Sequence, residues 1–380
     1  MTSKKPKVSP RLFLKGLHTW TGLVAGLVIA VISLAGSVIV FRSEIQQASA
    51  PRSAAGPRSV GLDELARQIA QVHPDARVSQ IRFPAKPGDV YIVQVDLAGK
   101  KRRLACDAST GRVLGMVDAQ WVDWLIDLHR NLLAGKTGRK AVGVVGVILF
   151  TLSASGMLLW LSGRRKWRSW ISVRPQGGSS RFHFELHRCA GLWAYGLLTV
   201  ISFTGIELAY PNTFRDTLQW VTGQRAASKT PRVAKSAVRV TLPLDAYLRI
   251  GAGAMPDGVP TELRLPEGNK GPVDLRLYRR GDLADSGNHV YIEPSTGRVL
   301  AVSRAADQPL ATRILASFAP IHYGEFGGLP IKMLWSLLGL VPSLLFITGL
   351  ITWWRPKQRR PPSVVRNELA VERSPQTAGR

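Results

Sequence analysis

The chain has 380 residues, with 51 Lys and Arg against 25 Asp and Glu, a formal charge of +26. Such a length allows two or three domains, and the basic excess suits either nucleic acid or an anionic membrane surface. Only Cys106 and Cys189 are present, far apart, and no Cys-x-x-Cys-His stretch occurs, so neither a disulfide framework nor a c-type haem attachment is indicated.

Taken in order, residues 1–16 form a short N-terminal segment with five basic residues and no acid. Residues 17–42 then hold a run of about 20 apolar residues, the length a bilayer core requires. Ala48-Ser49-Ala50 after it has the look of a signal-peptidase site, but the apolar run exceeds a signal h-region, which favours an uncleaved anchor. Residues 60–117 read as a small α+β unit. Its helix carries Leu62, Leu65, Ala66, Ile69 and Val72 behind Asp63 and Glu64, and strands follow at Tyr91–Val95, Arg103–Cys106 and Val113–Leu114. An amphipathic surface helix is predicted over 121–133 and a second span over 141–161. A basic loop (162–186) leads to a third span, 187–210. A second α+β unit (238–303) shows a helix at Leu244–Ile250 and strands at Asp274–Tyr278, His289–Ile292 and Val299–Val302. A second surface helix (310–323), a fourth span (333–354) and a tail (355–380) complete the chain. Pro51–Ser59 and Gln224–Ala237 read as polar linkers.

The position of the basic residues decides between the two partners. Segment 162–188 has seven against Glu185 alone, and the tail has seven against Glu368 and Glu372. The loops 42–140 and 211–332 carry 16 each, diluted by 10 and 11 acids. By the positive-inside rule both termini and the 162–186 loop are cytoplasmic and the two α+β units face outward. Nucleic acid becomes the weaker partner and the lipid bilayer the stronger.

The order of motifs occurs twice. Leu17-His18-x3-Gly22-Leu23 returns 169 positions on as Leu186-His187-x3-Gly191-Leu192, and Leu128-His129 returns 193 positions on as Ile321-His322. Between them Ser109-Thr110-Gly111-Arg112-Val113-Leu114 returns as Ser295-Thr296-Gly297-Arg298-Val299-Leu300. This pattern predicts an internally duplicated membrane protein. The expected fold is integral-membrane α-helical, with four transmembrane helices and two small α+β outer domains.

His18 and His187 then sit at the cytoplasmic ends of the first and third spans, and His129 and His322 at the outer ends of the second and fourth. A single histidine at a span end is ordinarily an interfacial polar residue. Four of them, paired by repeat and by depth, are candidate axial ligands of haem iron. Gly22 and Gly26, or Gly191 and Gly196, could let a flat porphyrin approach the backbone. His183, one turn before His187, could replace it as a ligand or lie near a propionate. His73 reads as solvated and His289 as structural. Zinc, which wants four close ligands and often cysteine, suits two histidines per face poorly. Neither a dinucleotide fingerprint nor a P-loop is present.

The repeated Leu-His-x3-Gly-Leu, the Ser-Thr-Gly-Arg-Val-Leu endings, Ile-His-Tyr-Gly-Glu-Phe-Gly-Gly at 321–328 and Ile-Thr-Trp-Trp-Arg at 351–355 resemble the PepSY-associated transmembrane family over roughly residues 11–357. Within it the likeness is greatest to inner-membrane ferric siderophore reductases, the ferrioxamine reductase kind. That resemblance implies two periplasmic PepSY-like domains and two b-type haems held by His18, His187, His129 and His322, with electrons passing to a ferric siderophore outside. The donor, a cytoplasmic or quinol one, is left open. Two rivals remain at this point: a haem subunit serving another enzyme, and a non-redox PepSY-type sensor or regulator.

Overall fold

The computed structural model describes residues 9–52, 60–162, 171–174, 178–223, 231, 233, 242–266, 271–283 and 287–354. The expected basic start (1–8), the tail (355–380) and most of the cytoplasmic loop and the two linkers lie outside them.

In chain order the elements are α1 (Pro10–Ile39), α2 (Arg42–Ala48), α3 (Leu62–Val72), β1 (Arg77–Arg82), β2 (Tyr91–Leu97), β3 (Lys100–Cys106), β4 (Val113–Met116), α4 (Gln120–Asn131), α5 (Gly135–Leu161), α6 (Ser179–Ala209), α7 (Pro211–Thr222), α8 (Leu244–Ala254), β5 (Val259–Arg264), β6 (Val273–Tyr278), β7 (His289–Ile292), β8 (Val299–Ser303), α9 (Leu310–Tyr323) and α10 (Gly328–Trp354).

Four helices, α1, α5, α6 and α10, are long and apolar enough to cross a membrane. Each packs on two of the others: α1 on α5 and α10, and α6 on α5 and α10. Leucines and valines on their outer sides stay exposed, Val24 by 80% for instance, as lipid allows without cost. At the seams small residues bring backbones together. A Cβ on Gly26 would strike the Phe346 ring, one on Gly143 the Tyr210 ring, and one on Gly339 the Ser37 hydroxyl. Gly26 therefore serves helix packing and gives no room to a porphyrin, a correction to the sequence reading.

The helices begin before the apolar runs. α1 starts at Pro10, whose missing N–H costs nothing at a first turn, and α6 starts at Ser179. Both inner histidines thus lie inside continuous helix and not at its end. Short helices α2 and α7 follow the first and third spans and are not among the sequence expectations; α2 has only seven residues, whereas α7 carries Phe214, Leu218 and Val221 at helical spacing.

The outer part also differs from two separate units. Its strands form one antiparallel sheet in the order β4-β3-β2-β1-β5-β6-β7-β8, which reads alike from either end. The join is β1 with β5, through Gln80↔Arg264, Ile81↔Leu263 and Arg82↔Glu262. Neither strand is apparent in the sequence. Each carries a bulge, at Val78/Gln80 and at Pro260/Glu262, so the period-two alternation breaks within six residues.

Helices α3 and α8 cover one face of the sheet with Leu62, Leu65, Ile69 and Tyr247 over Val93, Leu104, Leu263 and Leu275, all essentially buried. Each such leucine or valine contributes about 1.5–3 kcal/mol. The two helices also cap each other. Asp245 carboxylate oxygens accept from the Leu62 and Asp63 N–H groups at 2.8 and 3.1 Å, and Asp63 accepts from Leu244 and Asp245 at 2.6 and 3.3 Å. The repeated Ser-Thr-Gly-Arg is turn chemistry. Asp107 Oδ1 accepts from the Ser109 and Thr110 N–H groups, and Gly111 and Gly297 take φ of +74° and +75°.

The opposite face is turned toward the membrane helices. In the first half α2 and α4 close it: Ile45, Val122 and Ile126 pack with Val90, Ile92 and Ala105. Asp123 of α4 pairs with Arg103 of β3 at 2.5 Å.

Candidate functional site

The four expected histidines meet two by two. The His18 and His187 rings have centroids 6.2 Å apart with planes at 89°. Those of His129 and His322 are 6.1 Å apart at 48°. A metal–imidazole nitrogen bond is about 2.0 Å, so two imidazoles on opposite sides of one ion have centroids about 6 Å apart. Edge-to-face ring contact covers the same range, about 4.5–7 Å, so separation alone does not choose. The nitrogens do.

Each Nδ1 has an acceptor on another helix. His187 Nδ1 lies 2.9 Å from the Leu345 carbonyl oxygen and His129 Nδ1 2.8 Å from that of Ile32. A carbonyl can only accept, so both Nδ1 atoms carry the proton. His18 Nδ1 meets Ser155 Oγ at 2.8 Å, and His322 Nδ1 meets Thr204 Oγ1 at 3.0 Å. Both hydroxyls direct their single hydrogen at their own helix, Ser155 to Leu152 O and Thr204 to Val200 O. With the hydrogens so directed, both hydroxyls accept from the ring. All four rings therefore present a bare Nε2 lone pair, and no donor reaches it among the described residues. Orientation of the other nitrogen by a carbonyl or hydroxyl is the usual support of a metal-bound imidazole. Burial pushes the His322 imidazole down to about 3 and lowers that of His129. Burial thus favours the neutral form of both rings, the form a ligand needs.

A glycine on a second helix abuts each ring. A Cβ would lie 2.9 Å from His129 Cε1 at Gly36, 3.1 Å from His322 Cε1 at Gly205, and 3.3 Å from the His18 and His187 Cε1 atoms at Gly156 and Gly349. These glycines, and the acceptors Ser155, Thr204, Ile32 and Leu345, are absent from the sequence reading. One signal could have found them: Gly36 and Gly205 share the 169-residue offset of His18 and His187, and Gly156 and Gly349 the 193-residue offset of His129 and His322. Of the glycines that reading did name, Gly22 and Gly191 touch Leu152 and Leu345, and a Cβ on Gly196 would meet nothing.

His129 and His322 line a largely apolar cavity between the helices, with Ile29, Val142 and Leu198 among its apolar and Arg42 and Tyr323 among its polar lining residues. Arg42 lies over the Tyr323 ring at 4.6 Å and pairs with Glu325 at 2.9 Å. The two pairs lie at different depths. His18 and Ile32, the acceptor for His129, are on the same helix, and the interval between them is about 21 Å at about 1.5 Å per residue.

His183 does not join either pair. Its Nδ1 contacts the Ser179 carbonyl oxygen at 2.6 Å and its ring leans on Phe182, so His187 is the paired residue. His73 ends α3. His289 pairs with Asp274 at 2.8 Å on the sheet. No group of three or more His, Cys, Asp or Glu side chains gathers at metal distance among the described residues.

A family model described as the PepSY-associated TM region matches residues 16–355. The chain belongs to this PepSY-associated transmembrane family. Its four long apolar helices and this membership make it a multi-pass membrane protein. A Pseudomonas aeruginosa protein described as uncharacterized is 26% identical over 268 residues, covering 64% of this chain and 66% of the relative, just under two thirds of its length.

Proposed function

We propose that this family member is an inner-membrane di-haem reductase that delivers electrons to a ferric siderophore on the outer side and releases Fe(II). The observation that supports it most is the pair of facing histidine couples, each near 6 Å, each with its Nε2 lone pairs free. The residues fit a b-type haem. Imidazoles from two helices would hold each iron, glycines leave space beside the rings, and the outer cavity is apolar where a porphyrin needs it. When bound, such a group would supply single-electron transfer, and His18, His187, His129 and His322 would be the residues that hold it. We read the matching partners at the two offsets as an internal duplication, with one histidine couple near each membrane surface and the sheet in the periplasm.

The chain's own residues have clear tasks in this scheme. Ser155, Ile32, Leu345 and Thr204 fix the ring orientations and tautomers. The packed helices exclude water. The outer sheet places an acceptor near the outer couple. One electron per iron suffices, and release follows because oxygen chelators prefer Fe(III), whereas Fe(II) ranks low in the divalent affinity order.

Purified full chain in detergent should contain two haems by pyridine haemochrome assay. Addition of a ferric trihydroxamate to dithionite-reduced protein should restore the oxidised Soret band. Colourless protein, or a spectrum untouched by His129→Ala and His322→Ala, would overturn the proposal.

A further inference from the structure

The membrane-facing side of the sheet differs between its halves. The registers give two rows of neighbours across it. One runs Ala105, Ile92, Arg82, Glu262, Arg276, His289, and the other runs Arg103, Gln94, Gln80, Arg264, Asp274, Tyr291. Exchange of the two ends turns each row into the other, so Ile92 and Ala105 correspond to Asp274 and Tyr291, and Gln94 and Arg103 to Arg276 and His289. Where the first half buries apolar residues under α2 and α4, the second half presents a titratable cluster.

Among the described residues, nothing in the second half repeats the closure. Residues seven and six positions before His129 are Val122, fully buried, and Asp123, paired with Arg103. The positions equally far before His322 hold Leu315, half-buried, and Ala316, exposed and unable to form an ion pair. Helix α7, in the place of α2, buries no residue.

The cluster is also incompletely satisfied within itself. Asp274 is taken by His289 at 2.8 Å, and Glu262 by Arg264. Arg276 is left with loose contacts, 3.6 Å to Asp274 and 3.9 Å to Glu262. Its Nε is buried and has no hydrogen-bond partner among the described residues. A buried guanidinium N–H without an acceptor is costly, and a ligand oxygen anion is what it matches bidentately. Beside it the His289 and Tyr291 rings are stacked, with centroids 5.4 Å apart and planes within 7° of parallel.

We propose that this face of β6 and β7 is the docking site of the electron acceptor, and that it selects a metal chelate bearing a carboxylate outside its metal shell. The free carboxylate meets Arg276, and the chelate packs beside the stacked His289 and Tyr291 rings. This rests on the reductase reading for its purpose, but binding can be measured without electron transfer.

Gallium(III) chelates bind without being reduced, so calorimetry on the full chain in detergent isolates docking. Two probes are compared: a carboxylate-bearing hydroxamate complex of gallium(III) and a neutral gallium trihydroxamate. Wild type should bind the first at least tenfold more tightly. Arg276→Ala should abolish that preference, Arg276→Lys should restore part of it, and Gln94→Ala at the corresponding position of the other half should change nothing. Unchanged affinity in Arg276→Ala with an intact far-UV spectrum, or an equal loss in Gln94→Ala, overturns the site. A wild-type preference for the neutral probe overturns the substrate class. If the protein lacks haem yet binds the carboxylate probe through Arg276, the reductase reading fails and the docking site stands.

Discussion

The membrane bundle and the outer sheet treat the two halves of the chain differently. In the bundle two of the histidine supports recur at the repeat offsets: Ile32 serves His129 as Ile201 does His322, and Ser155 serves His18 as Thr348 does His187. In the sheet the backbone register is shared but the membrane-facing side chains are not. On the proposed reading, two couples that each hold the same kind of group would constrain four helices alike. A surface that meets one outside ligand needs only one half for it, and the other half is free to become an apolar seat for α2 and α4.

The largest effect expected in the bundle comes from the histidines and the glycines beside them. His322→Ala should lower the haem content of purified protein from two per chain to one, and His18→Ala should do the same at the other couple. Gly205→Val should mimic His322→Ala, because the added carbons enter the space of the His322 ring. Gly196→Val, where a Cβ meets nothing, is the control and should leave the spectrum intact. Loss in both valine variants would mean that general helix packing, and not the couple, sets occupancy.

A smaller effect should separate the two inner ligands. Among the described residues Ser155, at 2.8 Å, is the one partner of His18 Nδ1, whereas His187 Nδ1 has both the Leu345 carbonyl and Thr348 Oγ1 at 3.2 Å. Ser155→Ala should weaken haem retention on dilution by about 10-fold, the lower end for lost support of a ligand. Thr348→Ala should change it much less. Equal effects would show that the tautomer argument does not govern the inner couple.

Much of the bundle was legible in the sequence because lipid demands long apolar runs and a buried histidine there is conspicuous. The pairing of His18 with His187 and of His129 with His322 followed from repeat offsets and depth. Their supports did not follow: Ser155, Thr204 and Thr348 look like ordinary hydroxyl residues of a span, and a glycine's neighbour is not written in its own helix. The sheet was less legible. Strands β6 and β7 alternate and β2 and β3 bury apolar runs, but bulged β1 and β5, which pair at the join of the halves, show neither signal. His289 looked structural because its partners Asp274 and Tyr291 lie on the face expected to be plain surface.

The reciprocal caps test how firmly the sheet halves are joined. Each aspartate satisfies two N–H groups of the opposing helix, so Asp63→Ala and Asp245→Ala should each destabilise the outer domain by about 1–2 kcal/mol. Both aspartates stand at one contact, so the double variant should lose less than the two singles together. Additive losses in denaturant melts of the full chain would show two independent caps and no coupling of the halves.

The smallest effect belongs to the ion pair that the second half lacks. Asp123 and Arg103 are both partly exposed, 43% and 26%, so solvent screens their attraction and Asp123→Ala should cost about 0.2–1 kcal/mol. Its value lies in direction. The hydrophobic seat of Val122, Ile92 and Ala105 remains, so the first half should stay closed, and affinity for a gallium chelate should not change. If Asp123→Ala instead opened a second docking site of similar strength, the ion pair and not the buried apolar row would be what closes the first half. The difference between the halves would then reduce to one charge.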